Sequence, residues 1–358
     1  MTTIASVHGV VAPHLYPQRE ITAAFSAVVS PDGAHSAVIE RIHEHSQIKY
    51  RNLALPLQEY TEIQDFGAAN DAFIRIGLDL AEQAVRAALG KIGLRATDVD
   101  LIVSTSVTGI AAPSLDSRLI SRLGMRADIK RMPMFGLGCV AGASGIARVH
   151  DFLRGDPDAI AVLLSVELCS LTIQRNDTSM ANVVASALFG DGAAAVVMMG
   201  DHRAKGLGLT GPRVLASTSQ VYPDSERMMG WDVGATGFRI VLSAGVPDIV
   251  TAHMRDDVVS FLAGHQLAIP GIGRWICHPG GPRVLSAMED ALDLHDDQLA
   301  TTWQSLASIG NLSSASVLHV LQDTMEGTGT SEPPAPGTAG LMLALGPGFC
   351  SELVLLEW

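Results

Sequence analysis

The sequence predicts an α/β protein, on three observations. Apolar runs of strand length recur at residues 101–104, 159–165, 193–199, 341–345 and 353–356. They are continuous rather than alternating, as in strands covered on both faces. Segments with apolar residues at three- and four-residue spacing fall between them, the signature of helices. The chain has 358 residues, 47% hydrophobic and 17% charged, with a mean hydropathy of +0.28, ample for a large core. Helices alternating with buried strands imply layers of helix, sheet and helix.

Taken in order, residues 1–19 lack a basic segment followed by a sustained apolar run, so no secretory signal is expected. No uncharged apolar run reaches about 18 residues unbroken by Gly or Pro, so no membrane span is expected and the protein reads as soluble and cytoplasmic. Residues 71–89 predict a helix stopped by Gly90. The run 101–104 is a strand. Around Cys139 the order is strand, glycine turn and small-residue helix, before the strand 159–165. Gly190, Asp191 and Gly192 read as a turn into the strand 193–199. A composition shift at 200–212 suggests a boundary between a half at 1–205 and a half at 206–358. Residues 275–277 read as a strand, 283–292 and 314–325 as helices, and 326–338, rich in Pro, Gly and Thr, as a surface loop before the last two strands.

Charge and cysteine usage exclude several functions. There are 24 Lys plus Arg against 37 Asp plus Glu, a net charge of −13, and the basic residues are scattered, which argues against nucleic acid. Cys139, Cys169, Cys277 and Cys350 lie far apart without a CxxC pair, so reduced thiols are expected rather than a zinc ribbon or disulfide scaffold. The high hydropathy fits a buried sheet or a buried subunit interface.

Three residues stand out for chemistry. Cys139 follows Gly136 and Gly138 at the predicted start of a helix, where free N–H groups and the dipole favour thiolate and can bring the pKa below about 8.5. By itself it reads as a small core residue. His278 sits at a strand end, followed by Pro279, Gly280, Gly281 and Pro282, an irregular backbone of no evident value to stability. Asn311 precedes a helical pattern, so its plain reading is a helix N-cap, while its amide could also meet a developing oxyanion. His43 and His45 lack a third ligand and read as solvated, and no metal site is indicated. Phe189 reads as core.

The segments around Cys139 (GLGCVAGASG), 187–197 (ALFGDGAAAVV), His278 (CHPGGPRVL) and Asn311 (GNLSSASVL), with GPGF near the C-terminus, resemble in order and spacing the type III polyketide synthases. These are the chalcone-synthase-like members of the thiolase superfamily. The resemblance runs from roughly Ala5 to Trp358. It implies a five-layered thiolase-like fold of two pseudo-equivalent halves, a homodimer, and acyl-CoA and malonyl-CoA as substrates, with no bound cofactor. It makes Cys139 the nucleophile carrying the growing chain, and makes His278 and Asn311 its partners, an imidazolium holding the thiolate and both donors meeting the enolate left by CO2 loss. It places Phe189 at the gate of the cavity, Cys169 and Thr172 in its lining, and Gly346, Pro347 and Gly348 in a loop shaping its floor. Lys49, Arg51 and Arg283 become candidates for the phosphates of CoA.

Departures from the plant pattern bear on the substrate. A second gatekeeper phenylalanine falls on Ile240, and the methionine that reaches the neighbouring subunit falls on Ala112. Aliphatic lining suits an aliphatic chain at about 0.8 kcal/mol per buried CH2. The expectation is a bacterial enzyme extending a medium- or long-chain fatty acyl-CoA and releasing an alkylpyrone or alkylresorcinol. A malonyl-CoA-primed synthase of tetrahydroxynaphthalene type is the first alternative, since Cys169 suits that branch too. A carrier-protein-dependent ketoacyl synthase, a Cys-His acyl-CoA hydrolase and a non-catalytic partner subunit are the others.

Overall fold

The structure, a computed structural model, describes every residue except 176, 296 and 329–331. The strands are β1 (Thr2–Val11), β2 (His14–Pro17), β3 (Tyr50–Leu53), β4 (Leu101–Thr105), β5 (Lys130–Met134), β6 (Ile160–Leu168) and β7 (Asp191–Gly200). They continue with β8 (Arg213–Val221), β9 (Met229–Gly234), β10 (Gly237–Leu242), β11 (Arg274–Cys277), β12 (Ala339–Gly346) and β13 (Cys350–Glu357). Among the described residues, nine strands join in the order β11-β12-β13-β8-β1-β7-β6-β4-β5. All five strand runs expected from the sequence lie in this sheet.

The order repeats a pattern. The first strand of each half pairs antiparallel with its last, β1 with β7 and β8 with β13. That last strand pairs antiparallel with β6 or β12, which pairs parallel with β4 or β11. The two sets meet where Thr2 pairs with Val214 and Thr3 with Arg213.

Five layers follow from which side chains pack together. On β7, Ala193, Ala195, Val197 and Met199 face the helix Phe66–Gly90, while Ala194, Val196 and Met198 face the helices Ala141–Gly155 and Ser316–Glu326. On β12, Met342 and Ala344 face the same central helices, and Leu341 and Leu343 face Val246–Ala263 and Pro282–Leu292 on the far side. Successive side chains on a strand point to opposite faces, so a sheet covered on both sides needs both sets apolar. The central helices approach closely: a Cβ on Gly142 would lie 2.3 Å from the Ser314 carbonyl oxygen.

Several elements escape the sequence reading, β1 foremost. β1 is central, yet Thr2, Thr3, Ser6 and His8 interrupt its apolar run. Two of its polar groups are paired inside the fold: the Thr2 hydroxyl lies 2.8 Å from His150 Nδ1, and the Ser6 hydroxyl donates to the Ala88 carbonyl at 2.7 Å. β8, the β9–β10 hairpin and the helix Val246–Ala263 are among the others. The stretch expected as a boundary holds a short helix, Asp201–Leu207, closed by left-handed Gly208 at φ 65°. Of the loop expected over 326–338, residues 329–331 lie outside the described residues, and the flanking described residues are irregular apart from the helix end at Glu326. No helix among the described residues is long and apolar enough to cross a membrane.

Candidate active site

Three segments deliver three side chains to one cavity of about 1050 Å³. Cys139 lies in the turn Gly138–Val140 that leads into the helix Ala141–Gly155. Gly138 has φ +54°, and a Cβ there would stand 2.5 Å from the Pro347 ring, so the turn is closed by the 346–348 loop. His278 extends β11, its N–H donating to the Leu343 carbonyl at 2.8 Å. Asn311 is registered beside Phe189: its N–H donates to the Leu188 carbonyl at 2.9 Å and its carbonyl accepts from Gly190 N–H at 3.0 Å. All three side chains line the cavity.

The Asn311 amide has a fixed orientation. Its Oδ1 accepts from Ser313 N–H at 2.8 Å and from the Ser316 hydroxyl at 3.4 Å, while its Nδ2 donates to the Gly280 carbonyl at 3.3 Å. The oxygen thus serves the turn before the helix and the nitrogen is left as the donor. The helix N-cap expected of Asn311 is not formed, since Leu312 precedes the turn Ser313–Ala315 and Ala315 precedes the helix Ser316–Glu326; its oxygen instead closes a local turn onto Ser313 N–H.

Burial acts on both titratable side chains. Burial pushes the Cys139 thiol up to about 12, and its Sγ donates to the Ser313 hydroxyl at 3.5 Å. Burial alone drives the His278 imidazole down to about 3, and its Nδ1 is buried without a partner. Burial thus disfavours the thiolate and the imidazolium alike, working against the helix start.

A buried carboxyl beside the site went unread. Glu167, at the end of β6, has Oε2 accepting from Val107 N–H at 3.1 Å and from the Thr108 hydroxyl at 2.8 Å, while Oε1 accepts from Ser314. Burial raises it to about 7, against these bonds. Its only signal in the sequence is a charge inside an otherwise apolar run, VELCS. Trp231 on β9 was missed too. It lines the cavity and is the cross-strand partner of Ile240, which lines it as well.

The remaining expected residues divide. Phe189, Cys169, Pro347 and the exposed Arg283 line the cavity; Arg41 and His45, which were not anticipated as lining, stand in the wall with Arg283. Thr172 does not line it; it lines a void of about 20 Å³ that shares Cys169, Phe189, Trp231 and Ile240 with the main cavity. Gly346 and Gly348 are also absent from the lining. A Cβ on Gly346 would lie 2.6 Å from the Leu137 carbonyl oxygen, so what approaches it is the turn before Cys139, not substrate. Lys49 is exposed but outside the cavity, and Ala112 is exposed beside Pro113 at the surface. Arg51 is 0% exposed, its Nε donating to Gln18 Oε1 at 2.9 Å and its NH1 to the Phe189 carbonyl at 2.7 Å, so it cannot meet a phosphate of CoA. His43, expected in solvent, is buried between the Thr22 and Ser186 hydroxyls at 2.9 and 3.1 Å.

Comparison with known proteins gives concordant results. Residues 2–202 match the N-terminal domain, and residues 213–357 the C-terminal domain, of chalcone and stilbene synthases. A 1,3,6,8-tetrahydroxynaphthalene synthase of Streptomyces peucetius subsp. caesius is 54% identical over 358 residues, covering 100% of this chain and 93% of that protein. A putative chalcone synthase of Bacillus subtilis (strain 168) is 34% identical over 323 residues, 88% of this chain and 87% of that protein. The crystal structure of the type III polyketide synthase from Streptomyces coelicolor A3(2) that makes tetrahydroxynaphthalene superposes with a TM-score of 0.91 at 29% identity, covering 100% of this chain and 99% of that one.

Proposed function

The chain belongs to the chalcone and stilbene synthase family and is a type III polyketide synthase, an acyltransferase, and from that premise we propose that it primes and extends with malonyl-CoA alone to a tetrahydroxynaphthalene-type product. The observation that carries the product is the 54% identity, over its full length, to a tetrahydroxynaphthalene synthase. The fatty-acyl reading drawn from Ile240 is less well supported. That reading counted one aromatic wall residue lost, but Trp231, paired with Ile240 across the β9–β10 hairpin, brings an indole to the same wall. Its ring packs against Phe238 with centroids 5.8 Å apart, so the wall is bulky and backed.

In this reading the Cys139 thiol passes its proton to His278 as sulfur attacks the starter thioester, and the departing CoA thiolate takes that proton back. A second malonyl-CoA then loses CO2. The electron pair left behind forms an enolate whose oxygen is met by N–H donors of neutral His278 and of Asn311 Nδ2. The enolate carbon attacks the Cys139 thioester, the new C–C bond replaces the C–S bond, and the sulfur is freed for the next cycle. In this sequence His278 accepts the thiol proton in one step and donates a hydrogen bond in the next. Arg41, Arg283 and His45 are the groups suited to the phosphates of CoA.

The same proposal includes halves divided near residue 205, a cytoplasmic location and a homodimer. Supporting the last, β5 is an almost fully exposed edge strand, and Ile110, Met132 and Phe135 are exposed at 47%, 39% and 57%. The test is mass spectrometry of products from purified protein given malonyl-CoA, with and without a graded series of saturated acyl-CoAs. Tetrahydroxynaphthalene, or its oxidation product, from malonyl-CoA alone supports the reading. Pyrones or resorcinols whose mass follows the added acyl-CoA restore the fatty-acyl reading, and free acid alone points to a hydrolase.

A further inference from the structure

Arg51 is buried and charged, and the reaction as described makes no use of it. Burial lowers its guanidinium only to about 10, with Asp191 opposing the shift, so it stays a cation. Its bonds have a pattern. Gln18 Nε2 donates to the Ala187 carbonyl at 2.9 Å, Asn311 N–H to the Leu188 carbonyl at 2.9 Å, and Arg51 NH1 to the Phe189 carbonyl at 2.7 Å. Three successive carbonyls at the end of the helix Met180–Leu188 are thus held by three separate parts of the chain. Gln18 and Arg51 are themselves joined, Arg51 Nε donating to Gln18 Oε1 at 2.9 Å.

The segment is closely packed. A Cβ on Gly310, the residue before Asn311, would lie 2.8 Å from the Leu188 carbonyl oxygen and 3.1 Å from Arg51 Cδ, so the Arg51 stem lies alongside the glycine that leads into Asn311 and leaves no room there for a side chain. One side of the segment so held is the Phe189 ring in the cavity wall, and the other is the Asn311 amide.

We propose that Arg51 and Gln18 are positioning residues: by fixing the carbonyls of Phe189 and Ala187 they set the register between the Phe189 wall and the Asn311 donor, and so the rate of malonyl decarboxylation. The proposal rests on the role given above to Asn311. Lysine at position 51 keeps the charge but cannot bond the Phe189 carbonyl and Gln18 with a rigid fork. A displacement of the donor of about 1 Å is enough to slow a positioned reaction on the order of 100-fold.

The experiment uses full-length Arg51→Lys, Gln18→Met and Asn311→Ala. For each, acetyl-CoA released from malonyl-CoA is followed as kcat and KM, per Cys139 thiol reactive toward iodoacetamide, with Tm alongside. Expected is a fall in kcat per reactive thiol of at least about tenfold for Arg51→Lys and severalfold for Gln18→Met, with KM little changed. A purely structural role would lower Tm and the reactive fraction yet leave kcat per thiol unaltered, and that result overturns the proposal. If Arg51→Lys does not fold, Gln18→Met decides alone by the same criterion. Unchanged decarboxylation in Asn311→Ala would instead refute the role of Asn311, and because the readout precedes cyclisation it does not depend on which product is made.

Discussion

Cys139 and His278 line one cavity, and the role proposed for each sets what its removal does. Cys139→Ala removes the only group proposed to carry the chain, so product should vanish while decarboxylation of malonyl-CoA stays measurable. Product formation at the wild-type rate would take Cys139 out of the mechanism. Asn311→Ala removes one enolate donor and should slow decarboxylation by about 100- to 1000-fold, read as acetyl-CoA released. His43 offers a cleaner pH signal. Burial, and then Arg51, hold it down to about 3 from its ordinary 6.5, so the folded state resists a proton that the unfolded chain accepts. Its contribution is complete above pH 6.5 and is lost as pH falls toward 3, with a slope approaching ~1.4 kcal/mol per pH unit. Against a His43→Gln variant, the wild-type advantage in urea unfolding should therefore shrink as pH is lowered from 7 to 5. At this scale the sequence was legible where residues carry a motif: Cys139, His278 and Asn311 do meet. Isolated cations were not. Nothing in the order Lys49, Tyr50, Arg51 tells that one side chain is exposed and the other sealed behind Phe189, because that depends on Gln18, far away in the chain.

Among elements, the central pair of helices is the most exacting. Gly142 faces the Ser314 carbonyl at a distance no real Cβ tolerates, and it joins the helix after Cys139 to the segment after Asn311. Gly142→Ala should cost about 1–3 kcal/mol by denaturant unfolding and slow decarboxylation as well, since the two active segments must part. Gly90→Ala, where an added Cβ meets nothing within 4 Å, is the matched control. The small-residue run after Cys139 announced this close packing. Strands covered on both faces announced themselves as unbroken apolar runs, so β4, β6, β7, β12 and β13 were readable. β1 was not, because a central strand whose hydroxyls find partners inside the fold looks, as a sequence, like a polar edge. The β9–β10 hairpin was equally silent, and with it Trp231.

For the whole molecule, an acidic chain of net charge −13 presents Arg41 and Arg283 in the wall of a cavity proposed to take a polyanionic thioester. An exposed cation contributes about 0.2–1 kcal/mol, so Arg283→Ala should raise KM for malonyl-CoA by no more than about fivefold, less at high salt, with kcat unaltered. A larger fall in kcat would mean that Arg283 acts on the chemistry. Fold and family were legible because five motifs stand in register along one chain; the starter was not, because it depends on the volume left between side chains from separate elements, Ile240 and Trp231 among them. The central claim, that malonyl-CoA is both starter and extender, is tested most directly by supplying fully carbon-13-labelled malonyl-CoA together with an excess of unlabelled acyl-CoA. The account predicts a naphthalene product labelled at every carbon whatever acyl-CoA is present; a product carrying an unlabelled acyl tail would contradict it.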